Sequence, residues 1–320
     1  MTITEGGRRL APAPADPAAA DKIRHAQRRE RRKEAGFGFG MIGLSMFFVA
    51  VFTFGPIVAS LVLSFFEWDV ISDPTFVGMA NYRRIFSDTT VVHSLGVTLI
   101  LAVSIVVLQL VLGLGLAVLV NQRRSNAART FFRTAFYLPL LASTASVSIF
   151  MGYLFDYKFG VVNYYLGLLS IPNIPWLTSP IGAMVTMVLV SAWQQTGFTF
   201  VLFVAALMSV PTDVLEAAQV DGSGPLRTLL QIKIPLISPT ILFATVVAMI
   251  NAIQLFDQPY IMTSGGPGNA TTTATIVMFR SAFQNLQFGF GSAIAILLLL
   301  VILAITGIQF AASRKLVFYQ

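Results

Sequence analysis

The sequence predicts an all-α, polytopic membrane protein with six transmembrane helices and both termini on the cytoplasmic side. Three observations carry that expectation. Of 320 residues, 56% are hydrophobic and 11% charged, whereas a water-soluble domain clothes its surface with about 25% charged residues. Six long stretches contain no Asp, Glu, Lys, Arg or His, and a helix needs about 20 mostly apolar residues to cross a hydrocarbon core about 30 Å thick. The basic residues fall mainly on one side of those stretches, and Lys and Arg near span ends are retained in the cytoplasm.

The first 35 residues divide into an Ala/Pro-rich piece and a basic run from Lys22 to Lys33, with too few large apolar residues to pack a core. They are expected to form a disordered cytoplasmic tail, leaving 36–320 as the six-helix domain. A membrane-surface or nucleic-acid arm is the alternative, but a retention signal beside a first span accounts for the charge without a nucleic-acid partner. A cleavable signal peptide is not expected, because the apolar stretch starts near Phe37 and is long enough to span.

The six spans run from Met41 to Phe66, Leu95 to Val120, Ala135 to Phe155, Ile181 to Val210, Leu236 to Phe256 and Phe288 to Phe310. Pro211 is expected to end the fourth, since proline lacks an N–H and disfavours helix in the residue before it. With the N-terminus inside, the cytoplasmic segments hold nine Lys and Arg in the tail, four in 121–134, two in 211–235 and two after 310. Only Arg83, Arg84, Lys158 and Arg280 fall outside.

Absent residues exclude several functions. With no Cys there is no thiolate ligand, and His25 in the charged tail and His93 beside a hydrophobic run make no zinc or haem pair. Proton pumps and voltage sensors place ionisable groups within the bilayer, and the spans carry none; Asp257 lies just past the fifth. No Lys follows a Gly, so the phosphate-binding loop of an ATPase is missing, and neither a catalytic triad nor a carboxylate pair has a base within a span. The chain is not read as an enzyme. If ATP drives it, the nucleotide chemistry sits on another chain.

Two polar stripes interrupt the spans. Ser191, Gln195 and Thr199 recur at i, i+4 and i+8 with Gln194 beside them, and Asn251, Gln254 and Gln258 follow at i, i+3 and i+7. Such faces avoid lipid. They either bond helix to helix or line a cavity, where uncharged amides and hydroxyls suit a neutral, hydroxyl-rich solute. Gln194, Gln195, Asn251 and Gln254 are the candidates for a substrate pathway.

The segment 211–235 reads as two short cytoplasmic helices around a glycine turn. Asp213 and Glu216 have capping-box spacing, Gly222 suits a left-handed helix end, and Pro225 suits a first helical position. Val214, Leu215, Leu229 and Leu230 are expected to be exposed, and exposed apolar residues commonly meet a partner.

Within this segment Glu216-Ala217-Ala218, Asp221-Gly222, Ile232, Ile234-Pro235 and Pro239 resemble the EAA loop of the permease subunits of bacterial binding-protein-dependent ABC importers of type I. Further likeness lies in Pro56 with Ser64 and Phe65, in Phe76 to Tyr82, in Pro175-Trp176-Leu177, and in Phe256-Asp257 leading to Thr263-Ser-Gly-Gly-Pro267. The last two groups resemble the sugar branch, which imports disaccharides, oligosaccharides and glycerol phosphates. Ser223, Leu226 and Leu229 depart from the usual Ala, Trp and Phe.

The resemblance implies a multi-pass protein of the bacterial inner (cytoplasmic) membrane, paired with a second homologous permease and fed by an extracytoplasmic solute-binding protein. Two ATPase subunits would dock on the loop through Glu216, Ala217, Ala218, Asp221, Gly222, Ile232 and Pro235. ATP and Mg would be held by those ATPases, with no cofactor on this chain, and the segment 263–273 would face the binding protein. Asn269-Ala-Thr271 also matches a glycosylation sequon, a tripeptide too short to carry weight. A self-contained carrier or channel for a neutral solute, and a membrane scaffold, are the other readings that the residues permit.

Overall fold

The computed structural model describes residues 40, 42–121 and 126–316; the basic tail expected over 1–35 lies outside them. The chain divides into two units, residues 1–59 and 60–320. Of the first, a helical stretch is described, the beginning of α1 (Ile42–Leu63). All contacts given below lie within the second.

After α1 come a two-stranded antiparallel ribbon, β1 (Phe66–Glu67) and β2 (Thr75–Phe76), then α2 (Ala80–Ser87) and the long α3 (Thr89–Asn121). The ribbon, registered Phe66 to Phe76, is a small addition to the all-α expectation. Asn81 explains why it forms: its buried side chain donates to the carbonyls of Ser64 and Phe66, both at 2.9 Å. Ser64 and Tyr82 share a 2.7 Å hydrogen bond. Polar residues in the Phe76 to Tyr82 run therefore pin the end of the first span.

The third expected span, Ala135 to Phe155, is not one rod. It comprises α4 (Asn126–Leu141) and α5 (Thr144–Leu154), and between Thr134–Leu141 and Thr144–Leu154 the axis turns by 104°. Pro139, inside α4, removes one ladder donor, and Ser143 is extended at φ −58°, ψ 130°; a proline and a non-helical residue in sequence break a helix. Among the described residues five apolar helices are long enough to cross a membrane, and the bent pair, counted as one span, makes six.

The connection to the fourth span carries α6 (Val161–Leu168), whose Asn163 accepts from Trp176 Nε1 at 3.0 Å and from the Ile174 N–H at 3.1 Å. The carboxyls of Asp69 and Asp156, in loops outside the spans, are held below the usual carboxylate range. Amide hydrogen bonds are the chief cause, from Ser72 and Phe159 respectively.

The fourth span, α7 (Pro180–Met208), is capped by the Ser179 hydroxyl and stops at Ser209, two residues before Pro211. It is the most deeply buried span. Two short pieces, α8 (Thr212–Val220) and α9 (Pro225–Thr228), follow, and a π turn (Leu229–Lys233) joins α9 to α10 (Ile234–Leu236). The fifth span is α11 (Ser238–Ile253) with α12 (Asp257–Thr263); α13 (Ala274–Phe279) and α14 (Phe288–Leu316) complete the chain.

The core sits around α3 and α7. Leu101 and Ile105 of α3 cluster with Met187 of α7, Ala252 and Ile253 of α11, and Ile294 of α14. A second cluster joins Ala117 to Phe200, Phe203 and Ala244. Glycines bring backbones together here: a Cβ at Gly113 would lie 2.9 Å from Thr199 Cβ, and one at Gly197 would lie 3.1 Å from Tyr137 Cα. Packing between membrane helices depends on such small residues. Gly197→Ala is therefore expected to cost about 1–3 kcal/mol by overpacking α7 against the α4 backbone. Thermal unfolding in detergent checks this; an unchanged midpoint would contradict the close approach.

Candidate functional site

Two places concentrate polar residues in an otherwise apolar chain. The first lies halfway along α7, at Gln194 and Gln195. The fifth span breaks opposite them: Gln254 has φ −86°, ψ 11° and Phe256 has φ −129°, ψ −56°. Pro259 supplies the physical cause, because it has no N–H to give the carbonyl of Leu255 four residues earlier. That carbonyl accepts from Thr273 Oγ1 instead, at 3.0 Å. The stripe read as Asn251, Gln254 and Gln258 is consequently not continuous, since Gln258 belongs to the next helix.

Gln194, only 4% exposed, joins the two breaks. Its Nε2 donates to the carbonyl of Ala142, at the bend of the third span, at 3.4 Å. Its Oε1 accepts from Gln258 Nε2 at 3.1 Å. Buried amides need partners, and these two find each other across the helices. Gln194 thus sits as a latch of the framework. Gln195 is half-buried, with its carbonyl accepting from Gln109 Nε2 at 3.2 Å. Asn251 and Gln254 are exposed, and their amides have no protein partner among the described residues.

All four pathway candidates line one cavity of about 310 Å³, together with Leu140, Phe256 and Asp257. Its walls come from both broken spans and the middle of α7. Two discontinuous helices meeting near the midplane are the usual architecture of a transporter's binding site. Ser191 and Thr199, read on the same stripe as Gln195, are fully buried; Thr199 donates to the carbonyls of Thr196 and Gln109 at 3.0 and 3.3 Å and so packs α7 on α3. Sequence reasoning missed Gln109. A single amide in an apolar run of 26 residues was the available signal.

The second place is the loop 211–235. Gly222 has φ +70°, the left-handed conformation expected of it. The Ser223 N–H bonds the Ala218 carbonyl at 2.9 Å and the Gly222 N–H the Gln219 carbonyl at 3.0 Å, the paired bonds of a Schellman helix end. Pro225 opens α9, as read from the sequence. The expected capping box does not form. Helix α8 starts at Thr212 with Pro211 as its cap residue, which puts Asp213 inside the first turn, where a carboxylate still favours the helix dipole.

Glu216, Ala217, Asp221 and Gly222 are exposed, Ile232 and Pro235 half-buried, and Ala218 buried. Among the described residues Glu216 has no ionic partner. Of the four apolar residues expected on the surface, Val214 and Leu230 are exposed. Leu215 and Leu229 instead turn partly inward, lining a groove of about 740 Å³ with Val118 and Leu207. The crest of the loop is apolar in a way that the sequence reading missed, with Val220 87% exposed and Leu226 67% exposed.

The segment 263–273 folds back on itself. Thr271, Thr272 and Thr273 are buried, with Thr272 Oγ1 donating to the Gly265 carbonyl at 2.8 Å, while Ser264, Gly268 and Asn269 remain exposed. The Arg280 guanidinium donates to the Ser264 carbonyl at 2.7 Å.

Residues 109–317 match the family described as binding-protein-dependent transport system inner membrane component. The chain is 32% identical over 285 residues to the trehalose/maltose transport system permease protein MalF of Thermococcus litoralis, covering 88% of this chain and 95% of that protein. It is 29% identical over 280 residues to the multiple sugar-binding transport system permease protein MsmF of Streptococcus mutans, covering 87% and 96%. In fold it resembles a chain from the crystal structure of a bacterial alginate ABC transporter in complex with an alginate pentasaccharide-bound periplasmic protein, with a TM-score of 0.79 at 21% identity over 89% of this chain and 96% of that one. The six spans, the two helix breaks and the glycine-turned loop thus belong to an inner membrane component of the binding-protein-dependent transport family, a permease subunit of an ABC importer.

Proposed function

We propose that this permease passes a carbohydrate, received from an external binding protein, through the cavity at Gln195, Asn251 and Gln254. Two ATPase subunits docked on the loop 211–235 drive the movement. The observation that carries the reading is the cavity itself: two exposed amides and a half-buried third, whose side chains have no protein partner among the described residues, where two broken spans meet. Hydroxyl-rich solutes satisfy such amides, and the relatives named for trehalose, maltose and multiple sugars give the same direction.

Six spans enclose half of a pathway, and a second, homologous permease supplies the other half. Glu216 offers its carboxylate to a basic residue of the ATPase, while Val220 and Leu226 fill an apolar recess there. Closure of the ATPases on ATP draws the two loops together and rocks the helices from inward-open to outward-open. ATP and Mg stay on the ATPases; this chain binds no cofactor and catalyses no hydrolysis. Both termini and the loop lie in the cytoplasm, by the distribution of Lys and Arg.

Uptake into proteoliposomes tests the reading. Labelled sugar is expected to accumulate only when ATP and the binding protein are both supplied; accumulation without ATP would favour a self-contained carrier. The absence of Cys from the chain permits a test of orientation. In Val220→Cys, a membrane-impermeant maleimide is expected to label inside-out vesicles and not right-side-out ones, and added ATPase is expected to protect the site. Labelling from the outside would reverse the topology.

A further inference from the structure

We infer that α6 lies in the outer membrane interface and that its exposed face binds phospholipid, anchoring the outer ends of the third and fourth spans. The segment between those spans has the composition of a span and not of a wet loop: between Lys158 and Asp213 the chain carries no charge. Phe159, Tyr164, Tyr165, Leu168 and Leu169 are each between 62% and 87% exposed, and an apolar patch of this kind marks an interaction surface. The opposite side of the helix fixes that face outward. Asn163 is buried, and besides the two bonds it accepts, its Nδ2 donates to the carbonyls of Tyr157 and Ile174 at 3.2 and 3.0 Å.

Depth identifies the occupant. The third span runs alongside α7: its bend meets Gln194 through Ala142, and Phe155 at its end packs on Trp176, just ahead of α7, at a ring-centroid distance of 5.6 Å. With the helix breaks at the midplane, a rise of about 1.5 Å per residue puts Pro180 about 21 Å outward from Gln194 along the axis. Half of the hydrocarbon core measures about 15 Å. Bonded to Ile174 and Trp176, α6 therefore stands at the level of the lipid headgroups. The outer halves of the spans also turn apolar residues outward, Ile149, Phe150 and Tyr153 on α5 and Ile181 and Val185 on α7, and the α6 face continues that lipid-facing surface along the chain.

The side chains suit a phospholipid. Tyrosine favours this level because its ring sits among acyl carbons while its hydroxyl stays with the headgroups; Leu168 and Leu169 supply the apolar face that an interfacial helix sinks into the acyl boundary. A groove of about 540 Å³ is lined by Lys158, Phe159, Asn163, Tyr164, Leu168 and Asn173. Lys158 is the charged group among these and offers a cation to a lipid phosphate, while the carboxylate of nearby Asp156 is engaged by the amides of Lys158 and Phe159.

The choice of leaflet rests on the topology proposed above; the interfacial depth does not, and depth is what the test reads. Tyr165→Cys and Leu168→Cys, each labelled with bimane, are measured in the assembled transporter without its binding protein, with partner subunits freed of Cys, in nanodiscs of phosphatidylcholine and phosphatidylglycerol. Nitroxide on the lipid headgroup or high on the acyl chain is expected to quench both labels at least about threefold more than nitroxide near the chain end, as for a helix seated about 5–10 Å into the headgroup boundary. Iodide in solution is expected to quench both less than it quenches the same label at Asp73→Cys, an exposed loop position. Strong iodide quenching without lipid quenching would place α6 in water and overturn the inference. Shielding from lipid and iodide alike would show that the second permease covers the face, and would overturn it as well.

Discussion

Gly222→Leu is expected to remove about nine-tenths of ATP-dependent uptake while the chain stays in the membrane at its normal level. The residue sits at φ +70°, where a side chain costs about 1–2 kcal/mol that glycine does not. No atom lies within 4 Å of the position its Cβ would take, so the penalty is conformational and not a clash. A cost of that size reduces the population of the closed turn roughly five- to thirtyfold. The Schellman bonds of Ser223 and Gly222 are then lost together, and α8 and α9 no longer present Glu216 and Leu226 as one surface. Gly222→Asn serves as the control, because asparagine tolerates the left-handed region, and it is expected to retain most activity. Uptake assays with quantitative immunoblots check both; normal uptake by the leucine variant would remove the turn from the coupling mechanism.

Replacing both exposed cavity amides, Asn251→Leu with Gln254→Leu, is expected to lower uptake by about ten- to a hundredfold. Each hydrogen bond to the solute contributes about 0.5–1.5 kcal/mol, and both are lost. The apolar substitutes keep the helix and fill similar volume, so the complex is expected to assemble normally. Gln194→Leu is expected to behave differently. It strands the buried Gln258 amide, at about 1–3 kcal/mol, and removes the bond to the Ala142 carbonyl; this is read as a lower unfolding midpoint in detergent. A cavity variant that unfolds early, or a Gln194 variant as stable as the parent, would show that framework and pathway have been assigned to the wrong residues.

Much of this architecture is legible in the sequence because membrane solvation leaves few choices. A charge-free run of 20 residues has little option but to cross as helix. Gly222 and Pro225 were readable because each meets a backbone demand that few residues satisfy. The helix breaks were harder. Pro139 and Pro259 were visible, but proline within a membrane helix is tolerated as often as it bends one, and the outcome depends on whether a neighbour takes up the orphaned carbonyl. Thr273 does so for the Leu255 carbonyl that Pro259 orphans, while at the other bend Gln194 takes the carbonyl of Ala142, three residues beyond Pro139.

Those partners lie dozens of residues away in one case and 18 in the other, beyond any local pattern. The same limit explains the polar stripes. Spacing placed Gln194 and Gln195 side by side, yet only the packed helices decide that one is tied down and the other faces the cavity. Asp213 was misread for a local reason: Pro211 can serve as the extended residue before a helix, so α8 begins two positions earlier than the capping pattern suggests.

The central claim is that this chain works as one permease of a four-subunit importer, and its composition tests that most directly. Membranes from cells expressing the chain with a C-terminal tag are solubilised gently, the chain is captured, and its co-purifying proteins are quantified. The account predicts one second permease and two ATPase copies for each copy of this chain, with the ATPase lost from the Gly222→Leu capture. Recovery of the chain alone, under conditions that keep a reference transporter complex intact, would contradict it.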